Sequence, residues 1–222
     1  MHRFLSLFLA ASLAPGLLTQ TLDFPKEEGY GTIHVEAQLK ASPEAVWHVL
    51  VRPQHWSRWM PMLSRSWFYS DEAIRAIPPQ VPKKKKLFEE LYEQFPEPAV
   101  VRIEQDPAWE GIAFEEYNIP WPIQDEWVVR RYQFDSRKKG EGVYKAQWGK
   151  IFDGSREIEG YWHIEPSLTL AGGTHFVYHY RVKAKTGVAM VLFKWAVRRT
   201  IDKMVHAIEK EAVDDAIRTS RS

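Results

Sequence analysis

The side chains that could do chemistry in this 222-residue chain are carboxylates, histidines and arginines on strand-like segments, with no catalytic motif to organise them. Gly-x-Ser-x-Gly, a phosphate-binding glycine loop and His-Glu-x-x-His are all absent from the sequence. Glu115, Glu116 and Asp125 offer an acid or base for a cyclisation or dehydration, and equally read as exposed strand carboxylates. His175 and His179 sit four apart, which on a strand places them roughly 13 Å from one another on the outward face, too far to share one ion. Surface histidines are the better reading. His48 and His55 lie on or near the first helices and could line a mouth, but no carboxylate is paired with them in the sequence. Arg130 and Arg131 straddle the two faces of one strand, so one of them points inward. Once buried it needs an anion, either a nearby Glu or a ligand carboxylate or phosphate, with the internal ion pair favoured. No residue is assigned a catalytic or metal-ligating role, and the residues call for no cofactor.

Composition narrows the classes further. With 30 basic and 29 acidic side chains the formal charge is +1, so no overall field draws in nucleic acid. Zero cysteine excludes a disulfide scaffold, thiol chemistry, Cys-ligated zinc and a diacylglyceryl anchor. Ten tryptophans exceed what a domain of this size needs to fill a core, and the surplus suggests a pocket wall. Met1-His2-Arg3 followed by the apolar run from Phe4 reads as an export signal over residues 1–16, too short to span a bilayer, with cleavage after Ala14 or Gly16 both open. An exported chain without cysteines fits a bacterial periplasm best, a secreted or periplasmic product being the expectation.

The elements that must position these groups are set by hydrophobic period. Ile33, Val35, Ala37 and Leu39 alternate with polar residues as a half-buried strand, and Ser42-Pro43 opens a helix with Ser42 as its cap. A second helix over about 53–60 and a strand over 64–70 follow. Residues 71–98 are irregular, with prolines at 78, 79, 82, 96 and 98, the run Lys83 to Lys86 and a short helix over 87–94; they form an insertion or lid. The lysines beside that apolar-acidic helix have the composition for transient contact with a membrane surface, although a solvated face is the better reading. Strand-like stretches return at about 99–104, 109–117, 125–135 and 142–151, spaced too closely for anything but antiparallel pairing. Two more, at 156–165 and 174–184, are joined by Gly172-Gly173 and run into one long helix from Gly187 to about Ile217. A sheet that ends by handing the chain to a single long helix needs that helix to cover its concave face. The fold class is therefore α+β, a helix-grip arrangement.

The order of motifs carries a family resemblance. Ala41-Ser42-Pro43-Glu44-Ala45-Val46-Trp47 and Trp56-x-x-Trp59-Met60-Pro61 open it, Ile119-Pro120-Trp121-Pro122-Ile123-Gln124-Asp125 follows, and Gly160-Tyr161-Trp162-His163-Ile164-Glu165-Pro166 with the Tyr178/Tyr180 strand and the terminal helix completes it. This resembles START-like polyketide cyclase/dehydrase and lipid-transport proteins of the SRPBCC superfamily, over a domain spanning residues 30–218. Glu126-Trp127 stand where START domains commonly carry an Arg-Asp pair, so no headgroup role carries over to them. The resemblance implies a curved antiparallel sheet around a long helix, enclosing an apolar cavity for a lipid, sterol, polyketide or other hydrophobic ligand. Inward positions at Ile33, Val35, Tyr144, Trp148, Trp162, Phe176, Tyr178 and Tyr180 would line it, with phenols to orient one polar end. Binding and carriage of such a ligand is the expected function. A cyclase/dehydrase acting in the same cavity and a filled-core interaction module are the alternatives.

The terminal helix has a slipped stripe. At about 100° per residue, Val188, Val191, Leu192, Trp195 and Ala196 cluster on a side turned by roughly 130° from Ile201, Met204, Val205, Ile208 and Ala212. The later half is expected to pack on the concave sheet, and the earlier half, with Trp195, to edge the cavity mouth; a simple bend near 197–200 is the competing expectation.

Overall fold

The computed structural model describes residues 18–23, 30–78, 84–95, 106–118, 126–153, 158–183 and 190–219, and backbone alone at 30, 126, 150–153, 158, 182–183 and 190–196. In chain order the elements are β1 (Leu18–Asp23), β2 (Tyr30–Leu39), α1 (Pro43–Leu50), α2 (Pro53–Trp59), β3 (Leu63–Tyr69), α3 (Asp71–Arg75), α4 (Lys85–Gln94), β4 (Glu110–Tyr117), β5 (Glu126–Asp135), β6 (Tyr144–Asp153), β7 (Ile158–Pro166), β8 (Thr174–Lys183) and α5 (Met190–Thr219). The eight strands form one antiparallel sheet in the order β1-β2-β8-β7-β6-β5-β4-β3. Every neighbour except β2–β8 is consecutive in sequence, as short antiparallel connections require. The export signal expected over residues 1–16 and the strand expected at 99–104 lie outside the described residues. β1 is an addition to the sequence reading: Leu18, Gln20 and Leu22 alternate inward on it, a pattern hidden by the apolar run that precedes it.

Local signals explain where the chain turns. The Ser42 side chain accepts the Ala45 N–H at 3.3 Å, with Pro43 at the first helical position, so α1 starts where its cap requires. The β7–β8 turn needs a left-handed residue, which Gly172 supplies at φ 72°. Gly160 serves a different end. A Cβ there would stand 2.5 Å from the Trp148 ring and 2.4 Å from the His179 carbonyl, so its missing side chain lets the indole lie flat on the sheet.

The two sheet faces bury different cores. On the concave side Ile33, Val35, Ala113, Val128, Tyr132, Phe134, Trp148, Trp162 and Phe176 meet Trp47 and Trp56 from α1 and α2, and Ile201, Met204, Val205, Ile208 and Ala212 from α5. Trp56 is the hub, edge-on to Tyr132 at 5.5 Å and Trp162 at 5.6 Å, its indole N–H donating to the Leu50 carbonyl at 3.1 Å. The later stripe of α5 thus packs on the sheet, while the side chains of the earlier stripe at 190–196, Trp195 among them, lie outside the described residues, as does Val188. On the convex side a smaller core holds Trp67, Tyr69, Phe114 and Val129 under Ala73, Phe88 and Leu91 of α3 and α4. The helices of the 71–98 stretch therefore cover the back of β3–β5, on the face opposite the concave core. No helix among the described residues is long and apolar enough to cross a membrane.

If the later stripe of α5 grips the sheet, Ile208→Asp should cost more than about 4 kcal/mol, whereas Val213→Asp, on the exposed side of the same helix, should stay within about 0.5 kcal/mol. Urea melts followed by circular dichroism measure both; equal losses would show that this stripe is not the one that holds the sheet.

Candidate functional site

One polar group interrupts the concave aromatic face. Glu115 on β4 and Arg130 on β5 are 0 % and 5 % exposed, and Arg130 Nη1 donates to Glu115 Oε2 at 2.6 Å. Register brings them together: Arg130 stands opposite Ala113, so Glu115 is its diagonal neighbour on the same face. Tyr132 donates to Glu115 Oε1 at 2.5 Å, Tyr117 donates to Oε2, and Arg130 Nη1 also reaches the Tyr117 hydroxyl at 3.2 Å. The guanidinium lies over the Tyr117 ring at 5.7 Å and the Tyr180 ring at 6.0 Å. Arg130 is thus the inward arginine of its pair and Glu115 is the anion it needs. Arg131 faces solvent, 3.8 Å from Glu110.

Electrostatics fix the protonation of this cluster. Burial pushes the phenols of Tyr117 and Tyr132 well above their ordinary range, with the Glu115 charge adding to the effect, so both stay donors. Burial disfavours the Arg130 charge, but Glu115 and the neighbouring phenols outweigh it and hold the guanidinium ionised. The Tyr178 phenol is raised by burial and then by Tyr180. Both Glu115 oxygens are occupied by donors, and the pair is neutral as a unit. Among the described residues three donors on this face have no hydrogen-bond partner: Arg130 Nε, the hydroxyl of Ser66, which pairs in register with Glu115 across β3–β4, and Nε1 of Trp148, whose ring lies 5.7 Å from that of Tyr132.

The cluster sits toward the end of the sheet where β4 finishes and β5 begins, from which α5 also sets out. Inward side chains there keep some exposure: Tyr117, Tyr178 and Tyr180 are partly buried against the core. Met62, 36 % exposed at φ 66°, turns the chain from α2 into β3 at the same end, its carbonyl accepting the Asn118 N–H at 2.8 Å. Ile33, Val35, Tyr144, Trp148, Trp162 and Phe176 are buried on the concave side. Tyr144 stacks on Trp47 at 5.2 Å and Trp162 meets Trp56, so these two stand in tightly packed surroundings. Tyr178 stacks on Trp148 at 5.9 Å and on Tyr180 at 6.0 Å, toward the less covered end.

The remaining candidates are elsewhere. Glu116 faces the convex side, where Arg65 donates to it at 2.5 Å and Lys85 pairs with its other oxygen; burial would raise its pKa, but these bonds hold it low. Lys86 pairs with Glu90 at 3.4 Å, so Lys85 and Lys86 of the basic run have carboxylate partners. Asp125 lies outside the described residues. His55 borders a small pocket with Arg52, Arg58, Glu211 and Asp215, away from Glu115, and its pKa is lowered by burial and then by the two arginines. His175 sits between Glu165 at 2.9 Å and Glu36 at 3.7 Å on the convex face. Among the described residues no group of three or more His, Asp or Glu is placed to hold a metal ion. Ser66 and Tyr117 were not singled out by sequence, since a serine or a strand-end tyrosine carries no signal until the register is known.

This architecture, a curved eight-stranded antiparallel sheet gripping a long C-terminal helix, defines a helix-grip α+β fold. The family model described as polyketide cyclase / dehydrase and lipid transport matches residues 39–209, and the chain belongs to that family. Among solved structures it is similar to a STAR-related lipid transfer protein from Xanthomonas axonopodis, at 14% identity, 88% of this chain, 93% of that chain and TM-score 0.58. It is also similar to human STARD10, at 8% identity, 91% and 76% coverage and TM-score 0.58. The Zhui aromatase/cyclase from Streptomyces sp. R1128 matches at 11% identity, 83% and 94% coverage and TM-score 0.52. At these identities the likeness is one of fold. No curated protein matches the chain in sequence.

Arg130→Met should cost about 3–5 kcal/mol because it strands the Glu115 carboxylate, and adding Glu115→Gln should recover a large part of that loss. Denaturant midpoints of the two single variants and the double variant test this; strictly additive losses would mean that the pair is not coupled.

Proposed function

We propose that the protein binds and carries a hydrophobic ligand bearing one neutral oxygen, seated between the less covered end of the concave sheet and the early half of α5. The observation that carries this reading is the buried Glu115–Arg130 unit with three donors on the same face that have no partner among the described residues. An unmet buried donor costs about 1–3 kcal/mol, so a carbonyl, hydroxyl or ether oxygen at Arg130 Nε, Ser66 or Trp148 is stabilised there. A carboxylate or phosphate would find no net charge to pair with, because Glu115 already neutralises Arg130. Tyr178, Tyr180, Tyr117 and Trp148 supply the apolar wall, and Trp195 is proposed to edge the mouth. Family membership and the STAR-related lipid transfer neighbour support a lipid-like cargo.

A bound carrier is favoured over a cyclase by the state of Glu115. A general base needs a free lone pair facing the substrate, and this carboxylate already accepts from Arg130, Tyr132 and Tyr117. From the basic and apolar start of the chain we further propose export to a bacterial periplasm, which cell fractionation checks.

Protein purified without detergent should yield an apolar small molecule on solvent extraction and mass spectrometry. Tyr180→Ala should lower its occupancy several-fold, and Arg181→Ala, the next residue on the outward face of β8, should leave it unchanged, with melting temperatures compared alongside. Empty extracts, together with no shift of tryptophan fluorescence on adding sterols or diacylglycerol, would favour a filled-core module instead.

A further inference from the structure

Four of the eight histidines lie on the convex side of β2, β7 and β8, the face turned away from the proposed ligand. His34 and His179 are in direct register across β2–β8, with ring centres 5.8 Å apart and planes at 60°. They border a broad open trough of about 1390 Å³, so both are reachable from solvent. Two imidazoles bound to one ion, each about 2.0–2.1 Å from it, have ring centres roughly 5–6 Å apart. The observed spacing therefore needs side-chain rotation only.

We propose that His34 and His179 chelate a divalent transition-metal ion of the zinc, nickel or copper(II) class, with water completing its coordination. Imidazole pairs select these metals over magnesium or calcium, which prefer oxygen. Two further features prepare the pair. Glu36 Oε1 lies 3.0 Å from His34 Nε2; with the proton on Nε2 it accepts that bond, as carboxylates behind metal-ligating histidines do, and leaves the Nδ1 lone pair to the ion. His179 stacks on Tyr161 at 5.0 Å and 14°, which restrains its ring, and no hydrogen bond engages its nitrogens among the described residues. Glu159 and Arg181, the nearest charges along β7 and β8, are paired with each other at 2.9 Å and cancel, which leaves Glu36 as the carboxylate beside the site.

Titration of the full, untagged chain with zinc ions alone at pH 7.5, by calorimetry and histidine-ring NMR, tests the assignment. The expected result is one equivalent bound in the micromolar range, with shifts at His34 and His179. Affinity should fall at least about tenfold in His34→Gln and in His179→Gln and hold in His175→Gln, whose side chain also meets Glu36. Zinc should raise the melting temperature of the parent and not of either pair variant. No saturation below about 1 mM zinc, or equal affinity in the parent and both pair variants, overturns the proposal.

Discussion

A curved sheet must be filled from inside, and the packing of α5 onto the concave face is the constraint on which the other features rest. Strand alternation delivers Ile33, Val35, Trp162 and Phe176 to that face, and nothing in the sheet can cover them. The later half of α5 brings Ile201, Met204, Val205 and Ile208 to meet them, while α1 and α2 add Trp47 and Trp56. The end of the sheet near Tyr117 and Tyr180, whose side chains are partly exposed, is where the buried charges sit.

The convex side shows how a second layer alters the same sheet. Trp67, Tyr69, Phe114 and Val129 would be exposed apolar residues on an ordinary one-sided strand, and α3 and α4 exist to cover them. Trp67 lies on Phe114 at 4.5 Å and on Tyr92 at 4.4 Å, fastening α4 to the back of β3 and β4. The helices also draw on Lys85, which shares Glu116 with Arg65.

Element types were legible in the sequence wherever period and punctuation agreed. Alternation from Ile33 to Leu39, the Ser42-Pro43 cap and the glycine turn before β8 each name their structure locally. β1 was not legible, because Leu18 closes an apolar run and its alternation is only six residues long. The polar site was half legible: strand geometry requires one of Arg130 and Arg131 to face inward, yet choosing the inward one and its partner needs the β4–β5 register. Glu115 and Glu116 are indistinguishable by composition, but one is sealed in the core and the other tied to Arg65 at the surface. For the same reason the sequence places nothing nearer to His179 than His175, four residues along, whereas the register sets its ring beside His34 and Tyr161 of the two neighbouring strands.

The aromatic rings of the concave face have an optical consequence. Trp56 and Trp162 lie 5.6 Å apart, Trp162 and Trp148 4.9 Å, Trp148 and Tyr178 5.9 Å, and Tyr178 and Tyr180 6.0 Å. Chromophores this close transfer excitation far faster than they emit, so light absorbed by the phenols passes to the indoles, whose transitions lie lower in energy. The three tryptophans should also couple their strong far-ultraviolet transitions and add an exciton couplet to the circular dichroism of the folded chain. The row runs from the packed hub to the less covered end, and a disturbance of the outermost phenol is thereby written into the emission of an indole in the core.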